Sequence, residues 1–275
     1  MKISVITPNY NGAAYLKATL ESVLQQRDAG VDLECIVVDG GSTDASLEIV
    51  RAYGDAIDHV ISEPDDGPAD AINKGMRVAT GDILCWLNSD DLYAPSALNR
   101  VIEAFAQHPD KALCFGRCPI VDENGDEIRH GITRFKEIFY PVSCRFAIQC
   151  LNYVSQPACF FRREAWLAAG ELNPTLHAAW DYDLLLRLWR QGGAVMLDGD
   201  PLAQFRWHET SISAQGFRRQ FREAWQVAAK DAGMIRLQTL IHLMTWWGIV
   251  AIYSVMSFFR QRGADGTADT NAEGL

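Results

Sequence analysis

No C-x-x-C pair occurs in this sequence, and the seven cysteines (35, 85, 114, 118, 144, 150 and 159) are odd in number. That excludes the usual zinc spacing and argues against a disulfide framework. Cys35 and Cys85 sit inside apolar runs and read as buried free thiols, which points to a reducing, cytosolic compartment. Positive charge is also scarce: 25 Lys and Arg face 35 Asp and Glu, a net charge of −10. A chain so acidic lacks the basic footprint of a nucleic-acid binder, although a small nucleotide ligand stays possible if a metal ion offsets local charge. The N-terminus offers one lysine and a five-residue apolar run ending at Pro8, shorter than the apolar region of a signal peptide. No internal repeat or low-complexity segment precedes residue 263.

What remains is globular in composition, with 48% hydrophobic and 22% charged residues over 275 positions, enough for one large α/β domain or two small ones. The first hundred residues alternate strand and helix patterns. Lys2–Thr7, Leu33–Val38, His59–Ser62 and Ile83–Leu87 read as strands; Ala13–Gln26, Ala45–Tyr53, Ala69–Ala79 and Ala97–Gln107 carry helical spacing. This alternation predicts a mostly parallel sheet flanked by helices. Beyond residue 110 it loosens. Ala112–Val121 and Glu127–Ile132 flank a predicted hairpin turn at Asp122–Asp126, Cys159–Phe161 reads as a strand leading into a helix, Trp180–Arg190 as an apolar helix, and Leu202–Trp207 as a strand.

Polar clusters follow three of the strands: Pro8-Asn9-Tyr10-Asn11-Gly12, Asp39-Gly40-Gly41-Ser42-Thr43-Asp44 and Asn88-Ser89-Asp90-Asp91. Ligands of open α/β sheets bind outside the carboxyl ends of the strands, so the three clusters are expected in one crevice. Carboxylates crowded at a strand end repel one another. A divalent, oxygen-preferring cation such as Mg²⁺ or Mn²⁺, bridging to a diphosphate, is the natural compensation. The plainer reading of the last cluster is a solvated turn in which Asp91 caps the next helix. Asp39 can accept an N–H from a base or a ribose hydroxyl, and the glycine pair beside it allows close backbone approach.

These segments, with Asp66-Gly67-Pro68-Ala69-Asp70-Ala71-Ile72-Asn73-Lys74-Gly75 and Ala79-Thr80-Gly81-Asp82, resemble the family 2 glycosyltransferases of GT-A fold in order and spacing. The resemblance is close over the first hundred residues and looser to about residue 215. It implies that Thr7, Pro8 and Asn9 line the nucleotide pocket, that Asp39 binds the base (uracil in the commonest case), and that Asn73, Asn88 and Ser89 lie at the nucleotide sugar. Asp90 takes the third position of the family's D-x-D motif and would hold the metal together with Asp91. The first position is Asn88, not Asp, which removes one negative charge. Trp180-Asp181-Tyr182-Asp183-Leu184-Leu185 looks like the segment that supplies the catalytic base. Helix geometry favours Asp181, which shares a face with Leu184, Leu185 and Leu188, over Asp183, which is spaced to pair with Arg187 and Arg190 and to face water. Arg206-Trp207-His208 with Ser211 resembles a closing R-x-H-x-x-S segment, whose His208 could meet the metal or the diphosphate. Ser155-Gln156-Pro157 resembles the acceptor side.

The resemblance implies a metal-dependent, inverting transferase that moves a sugar from a nucleoside diphosphate sugar to a hydroxyl acceptor in surface polysaccharide or glycolipid assembly. A nucleotidyltransferase on a similar sheet is the alternative enzyme, but Pro8–Gly12 carries no basic residue to grip a triphosphate. A catalytically silent sugar-nucleotide binder is the other alternative.

Residues 1–235 are expected to form the GT-A domain, with a nucleotide-sugar half at 1–110 and an acceptor and catalytic half at 111–235. Leu237–Phe259 has 23 residues without Asp, Glu, Lys or Arg, long enough to span a bilayer. Its hydroxyls are scattered, with no continuous polar face. Residues 236–262 are therefore expected to form a hydrophobic, membrane-associated helix. Upstream basic residues would keep the catalytic domain on the cytoplasmic face. An interfacial position or an oligomer contact remains open. Residues 263–275 read as a disordered tail.

Overall fold

The computed structural model describes residues 1–208, 211 and 217–248. Strands β1 (Ile3–Asn9) and β2 (Leu33–Asp39) are buried along their whole length, as strands covered on both faces must be. They pair in parallel, with Ile3 opposite Leu33 and Asn9 opposite Asp39. β3 (His59–Ser62) and β4 (Ile83–Trp86) flank them in parallel. The short β5 is Leu92–Tyr93, β6 is Leu113–Gly116, β7 is Ile120–Val121 and β8 is Glu127–Ile128. β9 (Cys159–Arg162), β10 (Ala194–Leu197) and β11 (Ala203–Arg206) complete the set. The main sheet has seven strands in the order β10-β6-β9-β4-β1-β2-β3, parallel except for β9, which runs antiparallel to both neighbours.

The helices are α1 (Ala13–Asp28), α2 (Ser46–Ala52), α3 (Pro68–Val78), α4 (Ala97–Gln107), α5 (His130–Glu137), α6 (Arg145–Cys150), α7 (Arg163–Ala169), α8 (Trp180–Gly192) and α9 (Phe217–Ala232). Side chains alternate across a strand, so the sheet has two cores. Ile6, Ile36 and Val38 pack with Ile72 and Met76 of α3 and with Leu184 and Leu188 of α8. Val5, Cys35 and Val37 pack with Leu16 and Leu20 of α1 and with Val101 and Phe105 of α4. α3 crosses β1 so closely that a Cβ on Gly75 would lie 2.5 Å from Ile6 Cγ2, which only glycine avoids.

Glu34 ties the amino ends of the strands together. Its buried carboxylate accepts from Ser4 Oγ, from Thr80 N–H at 2.7 Å and from Lys2 Nζ at 2.9 Å. Burial pushes this carboxyl up, but those donors outweigh it and hold the group at about 2.

A second sheet, in the order β5-β11-β7-β8, brings β11 alongside the segment that follows β4. β7 and β8 form the hairpin expected at Asp122–Asp126. The strand predicted over Glu127–Ile132 is shorter: it stops at Ile128 because Arg129 turns left-handed at φ 54°, and α5 follows.

At the carboxyl end, residues 237–248 are helical and lie on α6. The contact is polar: His242 Nδ1 is 3.1 Å from Gln149 O, and Gln238 Nε2 donates to Gln149 Oε1 at 3.3 Å. Thr239 and His242 are buried, whereas Leu237, Leu240, Met244 and Trp247 are exposed. Over residues 237–248 the polar groups Gln238, His242 and Thr245 lie on the side that meets α6; Ser254 and Ser257 lie outside the described residues. Among the described residues no helix is long and apolar enough to cross a membrane. The rest of the expected hydrophobic helix and the tail at 263–275 lie outside the described residues.

Candidate functional site

The loops after β1, β2 and β4 meet. Asn9 Nδ2 donates to Asp39 Oδ1 at 2.8 Å, Asn11 N–H donates to Ser42 Oγ at 2.8 Å, and Thr43 N–H donates to Asn11 Oδ1 at 2.8 Å. A Cβ on Gly12 would lie 2.3 Å from Asn9 Oδ1 and 2.7 Å from Ser89 Oγ, so the first and third loops are in contact only because position 12 is glycine. The three strand-end loops therefore converge, as their spacing implied.

Within it the expected residues divide. Asp39 is buried, and its Oδ2 accepts N–H groups from Gly41 at 3.2 Å and Ser42 at 2.9 Å. Asn9 acts on Asp39, not outward. Thr7 and Pro8 lie buried inside β1, opposite Val37 and Val38, and Thr7 Oγ1 has no hydrogen-bond partner. Two expectations are corrected. Asn73 does not face the nucleotide crevice: it is buried, its Nδ2 donates to Leu172 O at 2.9 Å, and its Oδ1 accepts Leu172 N–H at 2.9 Å, a clasp from α3 to the loop after α7. Asp91 is not placed as a metal ligand. It is wholly buried, with Oδ1 accepting Arg206 N–H at 3.0 Å and Oδ2 accepting Asn88 Nδ2 at 3.1 Å. Burial, with the Asp90 charge beside it, pushes its carboxyl well above the usual range despite those donors.

Asp90 instead faces His208. His208 Nε2 lies 2.9 Å from Asp90 Oδ2, and the imidazole rests against Tyr15 with ring centroids 5.0 Å apart. One carboxylate oxygen and one imidazole nitrogen suit Mn²⁺; Mg²⁺ would use the carboxylate oxygen alone, and both ions commonly take the rest of their shell from phosphates and water. Among the described residues no group of three or more His, Cys, Asp or Glu is placed to hold a metal, so the pair fits a cation shared with a diphosphate and not an all-protein cage.

Asp181 opens α8 and lines a small pocket with Trp86, Asn152, Gln156 and Leu185. Burial raises its carboxyl to about 6, against the opposing pull of the Tyr182 N–H and the Lys136 cation. Asp183 pairs with Arg187, Nε to Oδ2 at 2.9 Å. It is more covered than the expectation of facing water, because that guanidinium also bonds Ala169 and Gly170 carbonyls and lies over it. Arg190 pairs with Asp231 instead of Asp183.

Two cations were not given a role by sequence reasoning. Lys136 Nζ donates to Ser155 Oγ at 3.0 Å at the edge of the Asp181 pocket. Arg206 is buried, packs over the Tyr15 ring at 4.8 Å, and has no hydrogen-bond partner at Nε or Nη1. Only the R-x-H spacing hinted at the second; nothing in the local pattern marked the first.

A profile described as glycosyl transferase family 2 matches residues 4–169, more than half of the chain. The chain belongs to glycosyltransferase family 2. An uncharacterised glycosyltransferase from Nostoc is 36% identical over 137 residues, covering 49% of this chain and 42% of that protein. One from Haemophilus influenzae is 28% identical over 193 residues, covering 69% and 62%. The chain thus spans less than two thirds of the length of these relatives. A Mycobacterium bovis protein named PGL/p-HBAD biosynthesis glycosyltransferase is 37% identical over 117 residues, covering 41% of this chain and 45% of that protein.

Solved structures share the GT-A fold. The mannosyltransferase PcManGT of Pyrobaculum calidifontis, in complex with GDP-Man and Mn²⁺, has a TM-score of 0.62 at 20% identity over 96% of this chain and 79% of its own. S. aureus TarS 1–349 in complex with UDP-GlcNAc has a TM-score of 0.65 at 20% identity, covering 84% of this chain and 66% of its own. The second sheet brings β11, and with it the segment that carries His208, alongside the loop that follows β4.

Proposed function

We propose that the chain is an inverting transferase that moves a sugar from a nucleoside diphosphate sugar, UDP-linked in the first instance, to a hydroxyl acceptor. One observation carries the reading. Gln156 lines the Asp181 pocket and also accepts from Asn88, two positions before Asp90, so the base and the diphosphate end of the site are neighbours. Asp39 and its loop hold the base and ribose end. Asp90 and His208 would hold the cation, which would offset the negative charge that grows on the departing diphosphate.

Asp181 performs the proton step. Its half-buried carboxylate, which lines the pocket beside Gln156, takes the acceptor hydroxyl proton, and the freed oxygen attacks the anomeric carbon from the face opposite the diphosphate as the bond to the diphosphate breaks. Attack from that side inverts the centre. A carboxyl at about 6 is largely ionised at neutral pH yet basic enough to take a proton in the transition state.

The acceptor is taken to be a lipid-linked or surface saccharide, handled at the cytoplasmic face of a membrane. The exposed Leu237, Leu240, Met244 and Trp247 support a lipid neighbour. UDP or GDP release from a panel of nucleotide sugars, with and without Mn²⁺, tests the reading. No release from any donor, with nucleotide binding intact, would make the chain a silent binder.

A further inference from the structure

Asn88 occupies the place where the family's motif carries its first aspartate, and its surroundings say why an amide stands there. Nδ2 donates to Asp91 Oδ2 at 3.1 Å and to Gln156 Oε1 at 3.4 Å. Gln156 cannot turn its amide over to suit a different neighbour, because its Nε2 is already given to Trp86 O at 2.8 Å. Asp91 is equally fixed. Its Oδ1 takes Arg206 N–H, and its main-chain carbonyl takes Thr19 Oγ1 at 2.8 Å. Position 88 therefore looks onto two oxygens, both needing a donor, and an amide nitrogen answers both. A carboxylate there would meet the buried Asp91 carboxyl on one side and an amide oxygen on the other, and both bonds donated by the Asn88 amide would be lost.

The consequences reach both ends of the site. Asp91 links the Asp90 loop to β11, which carries Arg206 and, two positions on, His208. Gln156 links the same loop to the wall beside Asp181. We infer that Asn88 is a positioning residue: its amide clamps the Asp90 loop to β11 through Asp91 and to the Asp181 pocket through Gln156, so that an aspartate at 88 weakens cation-dependent donor binding although it adds a negative charge.

The binding readout rests on the proposed donor chemistry; the clamp itself does not. The full chain is compared with Asn88→Asp and with the exchange Asn88→Asp/Asp91→Asn, which swaps amide and carboxylate while keeping one of each. UDP is titrated calorimetrically with and without Mn²⁺, and thermal unfolding is followed in parallel. Asn88→Asp is expected to weaken UDP binding in Mn²⁺ at least tenfold and to lower the unfolding midpoint. The exchange is expected to recover part of both losses: an amide at position 91 can still accept Arg206 N–H through its oxygen and donate through its nitrogen to a carboxylate at position 88, while the bond to Gln156 Oε1 stays lost. Tighter UDP binding by Asn88→Asp in Mn²⁺ would overturn the inference and make position 88 a weakened metal ligand. So would an exchange no better than the single variant. If the wild-type chain binds no UDP with Mn²⁺, the donor reading fails. The unfolding midpoints then decide the clamp alone, with recovery in the exchange supporting it and no recovery overturning it.

Discussion

His208 Nε2 and Asp90 Oδ2 are 2.9 Å apart although 118 positions separate the residues in the chain. The contact exists because β11 pairs with β5, immediately after the Asp90 loop, and because Asp91 receives the Arg206 N–H. It places a carboxylate and an imidazole at the carboxyl end of β4, where a diphosphate and its cation would lie.

Asp90→Ala is expected to abolish the Mn²⁺-dependent part of UDP binding, and His208→Ala to weaken it about tenfold, the scale of losing one of several ligands or their supports. The unfolding midpoint should move little, since both side chains are part-exposed. Calorimetry with UDP and Mn²⁺ reads the effect. Unchanged affinity in Asp90→Ala would remove this residue from the site.

Turnover should rise with pH through an acid limb near 6, because Asp181 works as a base only when ionised. Asp181→Asn should cut turnover by ~10²–10⁴-fold and leave UDP affinity near wild type. Asp183→Asn should be mild, since it breaks only the pair with Arg187. A reversed order of damage would assign the base to Asp183.

Removing the Lys136 charge should shift that acid limb upward, because the cation favours the ionised form of Asp181. Lys136→Met is the test and Lys136→Arg the control. An unmoved limb in Lys136→Met, with activity otherwise retained, would show that the two charges do not communicate.

Asp181 also predicts a stability effect of definite sign. Its folded pKa of about 6 is above the ordinary aspartate value, so between roughly pH 4 and 6 the unfolded chain has already released a proton that the folded chain keeps. Stability contributed by this group falls with rising pH over that window. Asp181→Asn should therefore gain up to about 2–3 kcal/mol at pH 7.5 and nothing at pH 3.5. Urea unfolding at both values gives the difference, and a variant less stable at pH 7.5 would contradict it.

Glu34 behaves in the opposite sense. Its folded value of about 2 lies below that of a free glutamate, so its contribution is complete above about pH 5 and disappears as pH falls toward 2. Glu34→Gln should cost about 2–3 kcal/mol at pH 7, with the gap closing at pH 2–3. Equal stability of the two proteins at neutral pH would show that the Lys2, Ser4 and Thr80 bonds contribute nothing net.

The linear sequence was enough to locate the strands, their polar ends and the crevice. Alternating strand and helix periods and apolar runs such as Leu33–Val38 are local signals, and the chain must bury them. That Asp181 and Asp183 point to different surroundings was also local, since residues two apart on a helix point in different directions. Which carboxylate at the end of β4 turns inward was not local. Asp90 and Asp91 are neighbours of one type, and only the arrival of Arg206 from β11 makes one of them a buried acceptor. Asn73 likewise was expected near the nucleotide from the family resemblance, yet Leu172, 99 positions away, takes both ends of its amide. Lys136 gave no signal, because its importance is a distance from Asp181 and not a pattern. Periodicity determined the scaffold because burial of an apolar face is a property of one segment. The duties of polar side chains were decided by tertiary structure, because a hydrogen bond needs a partner and the partners come from remote parts of the chain.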